Sequence, residues 1–394
     1  MAKSTIKNQP KAAAKPTKIY FKNLDSIRFF AALMVFLEHV KNGIFWAFKI
    51  KLEGWGKCVW NICDGGVGVS IFFVLSGFLI TYLILSERNI TGEFSLKKFY
   101  IRRILRIWPL YFMVVLIVFL IFPAIEPMMK IHINHVANPA YQLTFLSNFD
   151  IMHIEQKCRD SEELMQNITW SVSIEEQFYA FWPLLFFFLP RRFFLPSIAT
   201  VAIGSLIFRY FHQDDFFVSY FHTFAIMIDL ATGALFAYFI IASAKVKAFF
   251  QNTGTITILV SLILFFLSMM YHDQVFTSKF GKFIERPYFA LLFGFIIASQ
   301  AMVNKPSKLE LGNVGFAKYL GKYTYGIYLL HPIALELVYS FYNIANIPRN
   351  TTGPIISSAI LGLALTIGLA WVSYEFYEKR FLKLKKTFEL VKTE

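Results

Sequence analysis

Apolar stretches of about 17 to 25 residues recur from residue 27 to residue 377, and they constrain the fold more than any other feature of the chain. That is the length an α-helix needs to cross a bilayer. Inside the hydrocarbon every backbone N–H and C=O must be satisfied within the protein, so segments of this kind fold as helices. The 394 residues are 56% hydrophobic and only 16% charged, with 46 Phe. A soluble domain carries about 25% charged residues. The expectation is an all-α, polytopic integral membrane protein with about ten transmembrane helices.

The apolar segments place these spans near 27–48, 66–86, 104–124, 168–189, 193–210, 219–243, 254–271, 284–302, 318–341 and 354–377. Residues 27–377 then form one membrane domain between two short basic tails, 1–26 and 378–394. Residues 1–26 lack the apolar core of a cleaved signal, so the first span itself would direct insertion. The segment 141–149, YQLTFLSNF, is apolar but too short to cross, and is expected to be re-entrant or interfacial.

The formal charge is +14. Its distribution argues against nucleic acid. Lys and Arg cluster in 1–26, 87–106, 191–192, 244–253, 303–318 and 378–394, alternating with loops that are poor in both. This is the pattern of cytoplasmic loops. It places both termini in the cytoplasm and the chain in the plasma (inner) membrane, with anionic lipid as a further partner of the basic surface. Loop 125–167 is then external and carries Glu126, Glu155, Asp160, Glu162 and Glu163. Cys58, Cys63 and Cys158 also fall in external loops, where either one disulfide or three free thiols is compatible with the spacing. No close His–Cys pattern points to a metal.

Four constellations carry chemistry. Arg28 and His39 lie on LDSIRFFAALMVFLEHV, eleven residues apart. Eleven helical steps return to within about 20° of the starting direction and advance about 16 Å, so both share one face. Ionisable groups inside a membrane helix suggest function by default. An imidazole can take a proton from a hydroxyl as it attacks a carbonyl. The plain alternatives are a snorkelling Arg28 and a His39 that is polar packing. KKFYIRRILRIWPLYF brings Arg102, Arg103 and Arg106 to one basic helical surface beside Lys97 and Lys98. Planar guanidinium forks suit phosphate, though topology charge explains the same residues.

GVGVSIFFVLSGFLIT supplies Gly66, Gly68, Gly77, Ser70 and Ser76. These allow close helix packing, or passage of a thin ligand. As a nucleophile Ser76 lacks an activating neighbour in sequence. TWSVSIEEQFYAFWP places Glu175 and Glu176 in an apolar span, where an unpaired carboxylate is expensive. Either can pair with an Arg, orient a His or bind substrate hydroxyls. Trp170 and Tyr179 suit either sugar stacking or interfacial anchoring. Asp229, His331 and Glu336 read singly as structural hydrogen-bond partners.

Taken together these segments resemble the acyltransferase 3 family of membrane acyltransferases. The resemblance runs through LDSIRFFAALMVFLEH, GVGVSIFFVLSGFLIT, RRILRIWPLYF, WSVSIEEQFY, YLGKYTYGIYLLHP and SYEFYEKRF, in the family's order. It implies ten membrane helices and transfer of an acyl group, often acetyl, from cytoplasmic acyl-CoA. It implies acceptor hydroxyls on envelope glycans, lipid-linked sugars or small secondary metabolites, and no metal. The family's basic residue and His, separated by ten residues, correspond to Arg28 and His39. Its arginine motif near span 3 corresponds to Arg103 and Arg106. Two departures stand out. Ser26 occupies a position that is often Gly, and FAIMIDLATGALFA keeps Asp229 without the Arg that many members carry shortly before it. The stretch after residue 377 is too short for the soluble esterase-like domain that some relatives append.

The mechanism this implies is an acyl-CoA-dependent O-acyltransferase. Arg102, Arg103 and Arg106, helped by Arg28, would hold the donor's phosphates. Its arm would lie beside spans 1 and 2, past Ser76. His39 would act as general base, or form an acyl-imidazole. Glu175 or Glu176 would orient the imidazole. Two other classes explain part of the pattern. A polar-lipid or glycan transporter accounts for the spans and intramembrane charges, but inverted repeats are not detected. A binding or regulatory protein that has lost its chemistry would have less reason to keep both Arg28 and His39.

Overall fold

The computed structural model describes residues 20–48, 61, 64–129, 137–157, 168–253, 255–304, 310–347 and 352–389. The three cysteines lie outside the described residues, as does most of the acidic part of loop 125–167. Among the described residues ten helices have sixteen residues or more. They are α1 (Lys22–Phe48), α2 (Gly65–Thr91), α3 (Leu96–Leu116), α4 (Trp170–Phe188), α5 (Phe194–Phe211), α6 (Thr223–Ala242), α7 (Thr255–Met270), α8 (Lys279–Met302), α9 (Thr324–Ile344) and α10 (Thr352–Ser373). The described residues contain no strand.

The described residues are thus all-α, and the segments expected to span a membrane are helical, with 219–243 and 318–341 each divided between two helices. By length and composition five helical stretches are long and apolar enough to cross: Gly65–Thr91, Leu96–Met128, Arg191–Phe211, Phe216–Ala242 and Gly353–Lys386. A sixth is obtained if Ala244–Gln251 and Thr255–Met270, bent by 84°, form one broken span. The helices outside this set are α1, α4, α8 and α9. They carry His39, Glu175 and Glu176, Arg286, and His331 respectively.

Local chemistry sets the helix ends. Asp64 caps α2 by accepting from the Val67 N–H at 2.9 Å. At its other end Gly92 takes the left-handed conformation (φ 82°) and its N–H bonds the Arg88 carbonyl. Ser95 then caps α3, which begins earlier than the apolar run alone suggests. A π-helical turn, Ile117–Ile121, joins α3 to Phe122–Met129. The expected span at 318–341 is interrupted: a short helix, Gly315–Gly321, precedes α9.

The centre of the bundle is the contact of α2 with α6. Gly77 lies against the backbone of Leu230, and Gly233 against the backbone of Val74 and Phe78. A Cβ at either position would collide with a main-chain carbonyl. Small residues therefore set how closely these helices approach, where van der Waals contact rather than water exclusion drives association. Phe73, Phe78, Tyr111, Leu110, Ile174 and Phe186 fill the surrounding core and are almost wholly buried.

The segment expected to be re-entrant forms two short helices, Pro139–Leu143 and Ser147–Lys157, with a tight turn between them. Phe145 sits in that turn with φ 55° and packs on Tyr111, ring centroids 4.5 Å apart. The Gln177 amide holds the Phe145 carbonyl at 2.8 Å, and Ser147 meets Ser173 at 2.7 Å. The segment is thereby tied to α4, and Tyr111 of α3 donates to its Gln142 carbonyl at 2.8 Å.

Candidate active site

His39 and His331 meet where α1 packs on α9. His39 Nδ1 lies 2.8 Å from His331 Nε2, with ring centroids 4.7 Å apart. His331 is completely buried, while His39 is half-buried. The reason His331 points inward is local. Pro332 follows it, and Pro332 has no N–H to give to the carbonyl four residues back, Tyr328. His331 Nδ1 lies 2.7 Å from that carbonyl and 3.3 Å from that of Ile327. Phe36 and Tyr328 pack edge-on around the His331 ring, with centroids 6.2 and 6.1 Å away.

The pair sits toward one end of the bundle. Glu38, the neighbour of His39, accepts from the Gly65 N–H at the start of α2 (3.3 Å) and pairs with Lys41. The arginines sit toward the other end. Arg102 pairs with Glu87 at 3.0 Å and also donates to the Phe388 carbonyl at 3.0 Å. Gly65 and Glu87 are twenty-two residues apart on one helix, or about 33 Å. That is close to the thickness of a bilayer core. Arg28, the basic partner of His39 in sequence, is held by Asp25 at 2.5 Å.

Between these ends runs a polar seam. Ser76 Oγ donates to Glu175 Oε1 at 2.6 Å, and Tyr179 OH donates to Glu175 Oε2 at 3.1 Å. The guanidinium of Arg103 stacks over the rings of Tyr179 and Phe99, at 5.4 and 5.5 Å. Arg106 lies within electrostatic range of Glu175 and of Glu378. Trp108 Nε1 donates to Glu176 Oε2 at 2.8 Å, while Glu176 Oε1 is buried without a hydrogen-bond partner among the described residues. Ser76 is eleven residues from Gly65, so the seam stands about 16 Å along α2 from the His39 end. Tyr328 bridges the interval. It is within electrostatic range of Glu175, its OH meets Ser171 Oγ at 2.6 Å, and its carbonyl holds His331.

Several sequence expectations change here. Glu175 was expected to orient the His39 imidazole, but both its oxygens are taken by Ser76 and Tyr179. Glu176 is held by Trp108. The residue against His39 is His331, which read alone as a structural partner. The three arginines are not equivalent either. Arg102 is tied to Glu87 and the C-terminal segment, whereas Arg103 and Arg106 face the seam. Asp229 has its arginine after all, from another helix: Arg286 on α8 donates through Nε and Nη2 to Asp229 Oδ2, at 3.0 and 2.7 Å. A search limited to nearby sequence misses a partner 57 residues away.

An interior with a paired imidazole, two carboxylates and an arginine stacked on aromatic rings, packed among helices long and apolar enough to cross a bilayer, defines a membrane protein with ionisable groups inside its bundle. The family profile described as acyltransferase domain matches residues 21–375, and the chain belongs to the acyltransferase 3 family. It is similar to the peptidoglycan O-acetyltransferase OatA of Listeria monocytogenes, 27% identical over 390 residues, which cover 93% of this chain and 57% of that protein. It is also similar to the O-acetyltransferase OatA of Staphylococcus aureus, 27% identical over 383 residues, covering 91% and 57%. The chain therefore spans a little over half the length of these curated relatives. No solved structure matches it. The family match and the helices of membrane-spanning length together define an integral membrane protein of this family.

Proposed function

We propose that the protein transfers an acetyl group from cytoplasmic acetyl-CoA to a hydroxyl of an extracytoplasmic glycan. The observation that carries this reading is the seam itself: Arg103 stacked on Tyr179 toward the Glu87 end, Ser76 and Glu175 between, and the His39–His331 pair toward the Gly65 end, with Ser76 about 16 Å along α2 from Gly65. An acyl-CoA has the matching shape, with phosphates at one end and a thioester at the end of a thin arm. The relatives' names support the acetyl group and a glycan acceptor such as peptidoglycan.

In this reading the Glu87 end of α2 faces the cytoplasm, as does each basic tail. Arg103 and Arg106 bind the donor's phosphates, and Arg28 adds positive charge near the same face. Ser76, Glu175 and Tyr179 form the wall along which the arm lies. Glu175 anchors Tyr179, on whose ring Arg103 rests, and the free oxygen of Glu176 accepts from an amide or hydroxyl of the substrates. His39 removes the acceptor's hydroxyl proton as its oxygen attacks the thioester carbonyl.

The test is labelled acetyl-CoA with the purified full chain and glycan acceptors, muropeptides first. Labelled ester and stoichiometric free CoA are expected. Coupled movement of a glycan or lipid without CoA release would instead establish a transporter.

A further inference from the structure

We infer that His331 is a positioning residue that holds His39 as the Nδ1–H tautomer, leaving His39 Nε2 as the proton acceptor. The inference rests on the acyl-transfer reading for its consequence, but on the geometry of α9 for its substance.

A proline inside a helix, here Pro332, removes one N–H, so the carbonyl of Tyr328 loses its main-chain partner. A buried carbonyl left unpaired is costly. His331 Nδ1 stands 2.7 Å from that oxygen. A carbonyl only accepts, so the proton of the hydrogen bond must be on His331 Nδ1. A second proton on Nε2 would make a cation, wholly buried, between the rings of Phe36 and Tyr328 and against another imidazole. A bare charge in such surroundings is strongly disfavoured. His331 is therefore neutral, and its Nε2 carries a lone pair.

That lone pair faces His39 Nδ1 at 2.8 Å. An acceptor on one side requires a donor on the other, so His39 carries its proton on Nδ1. Neutral His39 then presents an unprotonated Nε2, the nitrogen farther from α9. His39 is the less buried member of the pair, so its ring is the one on the side of the pair away from the closed interior of α9. Proline, carbonyl and two imidazoles form one relay of fixed polarity.

The consequence for the reaction follows. The acceptor hydroxyl gives its proton to His39 Nε2 while its oxygen bonds to the thioester carbon. The C–S bond breaks, and the departing thiolate takes the proton back from Nε2. An ester and a thiol result, and the imidazole returns to its starting form. While His39 is an imidazolium, its Nδ1–H still has a neutral acceptor in His331, and a hydrogen bond from a charged donor is the stronger kind. The opposite tautomer of His39 would place a hydrogen where the base must be.

The experiment is nitrogen NMR of the full chain labelled with 15N-histidine in lipid nanodiscs, with the His39 signals assigned by their loss in His39→Gln. At neutral pH, His39 Nε2 is expected at the unprotonated shift and Nδ1 at the protonated one. In His331→Phe, which keeps a ring but no acceptor, the two tautomers are expected to exchange. With acetyl-CoA and a muropeptide, His331→Phe should lower kcat about 100-fold, the scale of lost general-base catalysis. The KM for acetyl-CoA should stay within about twofold, since donor phosphates are bound elsewhere. His331→Gln, whose carbonyl can accept from His39, should recover most of the loss. A protonated Nε2 on wild-type His39 would overturn the inference, and so would full kcat in a folded His331→Phe protein. Should that variant not fold, the wild-type spectrum and the Gln variant still decide. If no acetyl transfer occurs at all, the acyl-transfer reading falls while the spectrum still reports the pair.

Discussion

Asp229 on α6 and Arg286 on α8 form a two-point ion pair inside the bundle, with the arginine's Nε and Nη2 both directed at Asp229 Oδ2. Asp229 is completely buried. Removing one partner leaves the other charge stranded, which in buried sites costs about 3–5 kcal/mol. Arg286→Ala should therefore lower thermal stability sharply in detergent. The double variant Asp229→Ala/Arg286→Ala should lose less than the sum of the singles. Additive losses in that cycle would show that the pair is not coupled.

Ser76 and Glu175 are 99 residues apart in sequence and share a 2.6 Å hydrogen bond. Ser76→Ala deletes a donor to a carboxylate in the interior. A cost of about 1–3 kcal/mol is expected for the oxygen left unsatisfied. Ser76→Thr, which keeps the hydroxyl, should recover part of it. Chemical denaturation of the three proteins side by side is the check, and equal midpoints for Ser76→Ala and wild type would remove Ser76 from the seam's framework.

Arg103 offers two separable properties, charge and a flat face. It stacks on Tyr179 and Phe99. Arg103→Ala should weaken acetyl-CoA binding about tenfold or more, the scale of a lost charge-assisted hydrogen bond. Arg103→Lys should recover only part, because an ammonium neither stacks nor binds phosphate at two points. Arg102→Ala should affect stability more than donor affinity, since that residue is tied to Glu87 and Phe388. Calorimetric titration with acetyl-CoA distinguishes the two arginines.

His272, between α7 and α8, supplies a pH dependence of stability. Its imidazole is held above its usual value, first by a hydrogen bond to Glu285 at 3.0 Å, against the opposing effect of burial. A group raised on folding stabilises fully below its unfolded value, near 6.5, and loses that contribution as pH climbs through the folded value. Wild type should thus exceed His272→Gln in melting temperature at about pH 6, with the gap closing above neutrality. The gap should be small, since both groups are partly exposed. A gap that widens with rising pH would reverse the assignment.

The helices were legible because hydropathy in a membrane follows length, but of the ten expected crossings only five, or six with the bent pair, are long and apolar enough among the described residues. Arg28, His39, Glu175 and Glu176 were legible as candidates because charge in apolar segments is conspicuous. Their partners were not. His331 lies 292 residues from His39, and only the packing of α1 on α9 joins them. Pro332 is visible beside His331, yet the carbonyl it frees matters only once the helix is known to continue through it. Glu175 and Glu176 are adjacent in sequence but have separate partners, because successive helical side chains diverge by about 100°. The break before α9 falls at Lys322 and Tyr323, directly after Gly321, a turn-prone site overshadowed by the apolar run that follows it.

His39 is the proton acceptor on which acyl transfer depends in this reading, and the most direct measurement compares His39→Ala with wild type in acetyl-CoA binding and in turnover with a glycan acceptor. Binding within about twofold of wild type, together with turnover reduced at least about 100-fold, is the predicted result. A His39→Ala protein that transfers acetyl groups at the wild-type rate would contradict it.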